Sequence, residues 1–248
     1  MGEPVLQLRQ LGKSFGGLTA VKDVTLEVFP GDRQAVIGPN GAGKTTLFNL
    51  ITGVFPSSEG RILLFGKDVT GWPSHRRTAL GMGRTFQITN LFSDLSLLEN
   101  LALAILGTDR RKWVAHRAVE AFGEVRRQAL AGLENVGLLP RAHEAVKRIS
   151  YGERRQLELA LALNTGPKVL FLDEPCAGLS PSERQRISKM IAALPRDITL
   201  VMIEHDMDVA LGLADRVTVL HRGRVILEGS PQEVQANPEV REVYFGHA

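Results

Sequence analysis

Residues Gly38–Thr46 read GPNGAGKTT and fit the spacing G-x-x-x-x-G-K-[ST]. No other stretch narrows the choice of fold as much. The apolar run AVIG ends in this loop, and TTLFNLI follows as a helix that stops at Gly53. Strand, glycine loop and helix in that order have a direct physical use. Gly38, Gly41 and Gly43 let backbone N–H groups wrap a polyphosphate without side-chain clashes. Pro39, Asn40 and Ala42 complete the loop. The helix opening at its end turns a positive dipole toward the anion. Lys44 sets a compact charge against the β and γ phosphates, the Thr45 hydroxyl suits Mg²⁺, and Thr46 closes the motif.

The remaining sequence predicts an α/β core with a helical insertion. VTLEV alternates apolar and polar residues and stops at Pro30-Gly31-Asp32; RILLF is a second short strand. Ser96 and Glu99 form a capping box before LLENLALAIL. From Arg110 to Val136, the residues Val114, Ala118, Phe122, Val125, Ala129, Leu133 and Val136 recur at helical spacing. Residues 86–164 are therefore expected to be a helical lobe, with 1–85 and 165–248 forming the core of one domain. In the core, VLFLDE and ITLVMI are apolar on both faces, as buried parallel strands are. RVTVLHRGRVILEG reads as a hairpin turning near Arg222-Gly223, and Ser180-Pro181 with Glu183 opens another helix. A length of 248 residues accommodates a core with an inserted lobe.

Chemistry gathers at strand ends. Asp173 and Glu174 close VLFLDE, and a carboxylate at the C-terminal end of a central strand projects into the ligand crevice of an open α/β sheet. Asp173 suits the Mg²⁺ shell, and Glu174 suits a general base that orients the attacking water. His205, in IEHDM, follows the next apolar strand. It has two readings: a hydrogen bond to a γ-phosphate or to Glu174 and its water, or a structural histidine. Gln87, in RTFQ, is a neutral side chain of a length to reach Mg²⁺ or the water; by itself a surface glutamine is the plainer reading. A last segment, ISYGE, fits a helix start: Ser150 as N-cap and Glu153 three residues on. Tyr151 and Gly152, both poor helix formers, open that helix.

The order of these motifs, Gly38–Thr46, Gln87, Ser150–Glu153, Asp173-Glu174 and His205, resembles the ATP-binding subunit of ABC transporters across almost the whole chain. The resemblance implies a P-loop ATPase core with a mixed sheet, an N-terminal antiparallel β region and an inserted helical subdomain. It implies ATP with Mg²⁺ as cofactors, Thr45, Gln87 and Asp173 as metal-site residues, and Glu174, His205 and Gln87 as the catalytic set. ISYGE stands at the family's signature motif. There Ser150, Tyr151, Gly152 and Glu153 would meet the γ-phosphate of ATP held by a second ATPase subunit, a copy or a paralogue. Phe15 stands where the family usually has a tyrosine stacking on adenine, and its phenyl ring keeps that face. Tyr151 replaces the first glycine of the usual signature pair. Ser180 stands where the D-loop usually has aspartate or asparagine.

RTFQ, LFSDLSLLENL, IEHDM and the ending PEVREVYFG are similar to the ATPases of bacterial importers of branched-chain and other hydrophobic amino acids. The implied partners are ATP and ADP, membrane permease subunits and, indirectly, a periplasmic binding protein. Urea or amide import, lipopolysaccharide export and a soluble ABC ATPase are the alternatives. Nucleic acid is not an expected partner: a net charge of +3 is too mild. The single cysteine, Cys176, excludes an internal disulfide framework and a cysteine-cluster zinc site; beside Glu174 it reads as a small packing residue. No apolar leader opens the chain and no apolar run approaches a bilayer span. The expected location is cytoplasmic, peripheral on the inner face of the membrane.

Overall fold

Two kinds of strand pattern build two kinds of sheet. The structure is a computed structural model that describes residues 2–85, 91–108 and 118–245. The strands β1 (Leu6–Phe15) and β2 (Leu18–Val28) pair antiparallel. In β2, Val24, Leu26 and Val28 are buried while Thr25 and Glu27 are exposed, the alternation of a sheet with one wet face. Next come β3 (Arg33–Ile37), α1 (Lys44–Ile51), β4 (Glu59–Leu64), β5 (Lys67–Asp68), α2 (Ser74–Thr78) and β6 (Met82–Arg84). Among these, β4 and β5 complete a four-stranded sheet in the order β2-β1-β4-β5.

The second sheet takes the strands that are apolar on both faces. After the helices α3 (Leu97–Thr108), α4 (Ala118–Asn135) and α5 (Tyr151–Leu163) come β7 (Val169–Asp173), α6 (Pro181–Ala192), β8 (Thr199–Ile203), α7 (Met207–Leu213), β9 (Arg216–His221), β10 (Arg224–Gly229), α8 (Pro231–Ala236) and α9 (Pro238–Phe245). Every residue of β3, β7 and β8 is buried. They lie side by side in a six-stranded sheet ordered β10-β9-β3-β8-β7-β6, parallel except for the β9–β10 hairpin. That hairpin turns at Arg222-Gly223, with φ of 48° and 77°, the two positive values of a type I′ turn.

The chain divides into two compact units. One comprises Met1–Arg84, Lys168–Glu174 and Ala192–Ala248, and holds both sheets. Its core gathers Leu47, Phe48, Leu50 and Ile51 of α1 with Val36, Phe171, Val201 and Ile203 of the sheet. Phe48 meets Phe171 edge to face at 5.5 Å. At the far end of α1, the buried Arg77 of α2 donates to the carbonyls of Leu50 (2.8 Å), Ile51 (2.6 Å), Thr70 (3.0 Å) and Trp72 (2.9 Å). It thus supplies the cation that α1 lacks in its own last turn. Burial pushes its pKa down to about 10.

The other unit comprises Thr85–Pro167 and Pro175–Ile191. Leu97, Leu101 and Ile105 of α3 pack with Val125, Ala129 and Leu133 of α4, Val136, and Leu157 and Ala160 of α5. Val114, one of the periodic residues, lies outside the described residues. The capping box at Ser96 and Glu99 is formed. The sequence pattern predicts that everything from 165 onward belongs to the core. The structure instead groups 175–191, with most of α6, with the helices. Local contacts explain this: Tyr151 Oη donates to Ala177 O, Gln156 reaches Met190 Sδ, and the Glu183 carboxylate occupies the space a Cβ on Gly152 would need. Among the described residues no helix is long and apolar enough to cross a membrane.

Candidate nucleotide site

Because β3 is buried end to end, the chain leaves it at Ile37 and must turn at once. Gly38 makes that turn with φ of 154°; a Cβ there would collide with Leu220 O. Gly41 and Gly43 follow with φ of 79° and 102°. Gly43 is the N-cap of α1 and gives it no side-chain cap, and no acid stands in the first turn. The amides at this helix start are therefore left without the usual side-chain acceptor.

Asn40–Thr46 line an open cleft of about 500 Å³ together with Leu18, Thr19 and Ala20 of β2, Glu174, and Arg222-Gly223 of the hairpin turn. Lys44 is buried and its ammonium donates to Gly38 O at 2.6 Å and Pro39 O at 3.1 Å. Burial lowers its pKa, with the Glu174 charge opposing. An ammonium on neutral carbonyls exchanges readily for a phosphate, because the anion adds a charge–charge attraction that a carbonyl dipole lacks.

The strand-end carboxylates go to different environments. Asp173 is buried, and its Oδ2 takes Arg84 Nη2 at 3.1 Å. Arg84 also holds Thr52 Oγ1 at 2.6 Å and Asn49 Oδ1 at 3.0 Å. Glu174 is half-buried in the cleft wall with φ of 49°, a left-handed backbone that costs a non-glycine residue roughly 1–3 kcal/mol. Its amide donates to Ile203 O at 3.0 Å, two residues before His205. The His205 side chain is 54% exposed. Thr45 and Asp173 offer a hydroxyl and a carboxylate. Such oxygen donors suit Mg²⁺, which takes one or two protein ligands and completes its shell with water and phosphate oxygens. Gln87 lies outside the described residues.

Phe15 ends β1, 47% exposed, edge-on to Phe55 at 5.5 Å with Lys13 Nζ 5.0 Å above its ring. The cleft wall itself is made by Leu18–Ala20 rather than by Phe15.

In the helical unit, α5 starts as its sequence predicts. Ser150 Oγ accepts from the Glu153 amide and the Glu153 carboxylate accepts from the Ser150 amide. Burial opposes the charge on Glu153, but the bonds from Ser150 and Arg141 outweigh it and hold the carboxyl below its ordinary value. Tyr151 is exposed, with Arg155 stacked 5.2 Å from its ring and bonded to its hydroxyl at 2.8 Å. Gly152 is required by a close approach: a Cβ there would collide with the Glu183 carboxylate. Ser180 is bonded to Glu183 through its amide (3.0 Å) and its hydroxyl (2.6 Å), so this residue works as a cap. Cys176 is buried, 3.7 Å from Ser188 Oγ.

Sequence reasoning missed Arg84, which sits three residues before Gln87, and treated Arg222-Gly223 as a turn only. It saw Glu183 as a cap without its second contact on Gly152.

Loop, lysine and strand-end carboxylates in one unit define a P-loop nucleoside triphosphatase. Comparison with known proteins narrows that class. The ABC transporter family profile matches residues 21–177, and a profile described as branched-chain amino acid ATP-binding cassette transporter matches residues 224–248. The chain is 37% identical over the full length of both chains to the high-affinity branched-chain amino acid transport ATP-binding protein LivG of Escherichia coli strain K12. The solved ADP conformation of MJ1267, an ATP-binding cassette of an ABC transporter, superposes with a TM-score of 0.86 at 30% identity, covering 99% of this chain and all of that one. The dimeric post-hydrolysis state of the cassette MJ0796, bound to ADP and Pi, gives 0.78 at 25% identity, covering 91% of this chain and 98% of that one. The chain belongs to the ABC transporter family and is an ATPase of that family.

Proposed function

We propose that this ATPase drives a membrane importer of branched-chain or other hydrophobic amino acids. The observation that carries the reading is the cleft in which the uncapped start of α1, Lys44 and Glu174 meet. Full-length similarity to LivG and the matched C-terminal segment direct it to amino acid import. In this reading, backbone amides of Gly41–Thr45 hold the β and γ phosphates and Lys44 leaves its two carbonyls for them. Thr45 and Asp173 would hold Mg²⁺, with Gln87 as a further candidate, and the ion would supply neutralising charge at the phosphates. Glu174 accepts a proton from the attacking water and His205 steadies the γ-phosphate side of the site. The Ser150 helix start of a second ATPase subunit, identical or paralogous, closes the site. Permease subunits and a periplasmic binding protein complete the assembly, which places the chain on the cytoplasmic face of the membrane.

Uptake tests the reading. Cells deleted for this gene should lose most radiolabelled leucine uptake. Wild-type chain should restore it, and Lys44→Ala should not. Unchanged leucine, isoleucine and valine uptake in the deletion strain, with loss of another solute such as urea, would overturn the substrate assignment.

A further inference from the structure

The start of α5 holds a conflict that its capping box does not resolve. A helix N-terminus favours an anion, and the proposed function brings a second subunit's γ-phosphate to it. Glu153 is an anion already in place. Its carboxylate accepts from the Ser150 amide at 2.8 Å and closes the box. With Ser150, Gly152 and Glu183, it also lines a small recess at this start, where a phosphate would meet like charge.

One guanidinium meets the conflict. Arg141 Nη1 donates to both Glu153 oxygens at 2.5 Å. Its Nε and Nη2 grip the two Glu144 oxygens at 2.9 and 2.7 Å, and Nη2 also reaches Arg148 O at 3.3 Å. The whole donor fork of the side chain is thus engaged. Its place does not depend on α5. Arg141 ends the 3₁₀ turn Leu139–Arg141, and its carbonyl takes the Glu144 amide at 2.9 Å. The carbonyls of Ala142 and Glu144 then take the Leu98 and Leu97 amides of α3 at 2.9 and 3.1 Å. Arg148 acts on Glu144 as a second cation, and Arg186 acts on Glu183. Arg141 is therefore the cation on which Glu153 depends.

We propose that Arg141 is a positioning residue of the γ-phosphate site that the Ser150 helix start offers to a second subunit. Its guanidinium holds Glu153 on the Ser150 amide and cancels the charge that would repel the incoming phosphate. The pair is half-buried, with side chains 32% and 20% exposed, so water screens that charge only in part. Arg141 acts through Glu153 and need not touch the nucleotide. The proposal rests on the reading that the α5 start closes the site of another subunit.

The test uses the full chain with Glu174→Gln, the parent in which ATP should hold two chains together. Light scattering reads the ATP concentration that gives half-maximal dimer, well below the lowest Tm of the set so that unfolding does not enter. Arg141→Gln should raise that concentration about tenfold, the effect of one like charge near the phosphate. ATP binding to the dilute single chain should stay as in the parent. Arg141→Lys, which keeps the charge and loses the fork, should fall between the two. Arg141→Gln combined with Glu153→Gln should recover to within about threefold of the parent, since glutamine closes the box without a charge. A role in stapling alone predicts the opposite: the bonds to Glu144 and Arg148 O stay lost, and the second substitution restores nothing. That outcome overturns the proposal. Ser150→Arg checks the reading beneath it. If Ser150→Arg dimerises at the parent's ATP concentration, α5 does not face another subunit's ATP and the proposal goes with that reading. If Ser150→Arg fails to dimerise while Arg141→Gln behaves as the parent, Arg141 alone is overturned.

Discussion

Two helices of this chain start beside glycines, and their starts are finished in opposite ways. At α1, Gly43 offers no side-chain cap, no acid follows in the first turn, and the neighbouring charge is the ammonium of Lys44. At α5, Ser150 and Glu153 cap each other and the Glu183 carboxylate lies against Gly152, in the space a side chain would need. Both starts carry the same partial positive charge. The first leaves its donors without a side-chain acceptor, as the proposed phosphate site within one chain requires. The second has two of its donors, the Ser150 and Glu153 amides, satisfied by its own chain and a carboxylate held beside Gly152. It serves a phosphate only if that anion outbids a carboxylate already in place. One start is built for binding; the other is built to be stable until a partner presents something better.

The comparison stakes the chemistry on the α1 side, so the largest effect should come from the carboxylate that shares its cleft. Glu174→Gln keeps the shape and removes the base. ATP binding should persist while turnover falls by roughly two to four orders of magnitude in a steady-state phosphate-release assay. With cleavage blocked, light scattering should show an ATP-dependent dimer. Wild-type turnover in this variant would remove Glu174 from the mechanism and leave its left-handed backbone without a role.

A smaller but more diagnostic effect follows if the α5 start works on another subunit's ATP. Lys44→Ala should disable the first kind of start and Ser150→Arg the second, each abolishing activity alone. In a mixed dimer, one of the two sites pairs an intact phosphate loop with an intact Ser150 helix, and the other carries both lesions. Mixing should therefore recover part of the ATPase activity. Dilution gives an independent check, because specific activity of the wild type should fall below the dimer's dissociation constant. No recovery, together with concentration-independent activity, would show that α5 serves its own chain or no nucleotide.

The asymmetry between the two starts was only half legible in the sequence. Gly38–Thr46, the buried strand that precedes it and the carboxylates at the end of β7 are local patterns: each motif carries its own strand and helix signals, and the structure brings Asn40–Thr46 and Glu174 to one cleft. The capping box at Ser150 was equally local. What escaped were contacts between residues far apart in sequence. Nothing near Gly152 announces that Glu183, about thirty residues on, fills the space a side chain would need. Arg77 closing the far end of α1 and Arg84 holding Asp173 are of the same kind, since a lone arginine in a short helix or short strand gives no sign of which carbonyl or carboxylate it will find. The extent of the helical unit was missed for the same reason. Residues 175–191 follow a core strand in sequence, but their bonds go to α5.

The smallest expected effect tests whether Glu183 holds the α5 start through charge. Glu183→Gln retains a side chain that can still complete the capping box and fill the space beside Gly152, so only the charge is removed. The Ser180 hydroxyl and amide, and then the Gly152 amide and Arg186, hold the Glu183 carboxyl below its ordinary value of 4.5, with burial opposing weakly. A carboxyl whose folded pKa is depressed adds stability that is fully present above its unfolded value and is lost as pH falls through the folded one. Wild type should therefore melt about a degree above Glu183→Gln at neutral pH, and the gap should close as pH drops below 4.5. The α1 start should respond at the other end of the scale. Burial lowers the Lys44 pKa, so its cost to folding is present at neutral pH and relieved only as pH rises through the lysine range. A gap between wild type and Glu183→Gln that stays constant from pH 7 to pH 3 would mean that Glu183 acts at Gly152 by shape alone. In that case a neutral glutamine would resist an incoming γ-phosphate as well as the carboxylate does, and the contrast between an open start and a charge-guarded one would reduce to a contrast in packing.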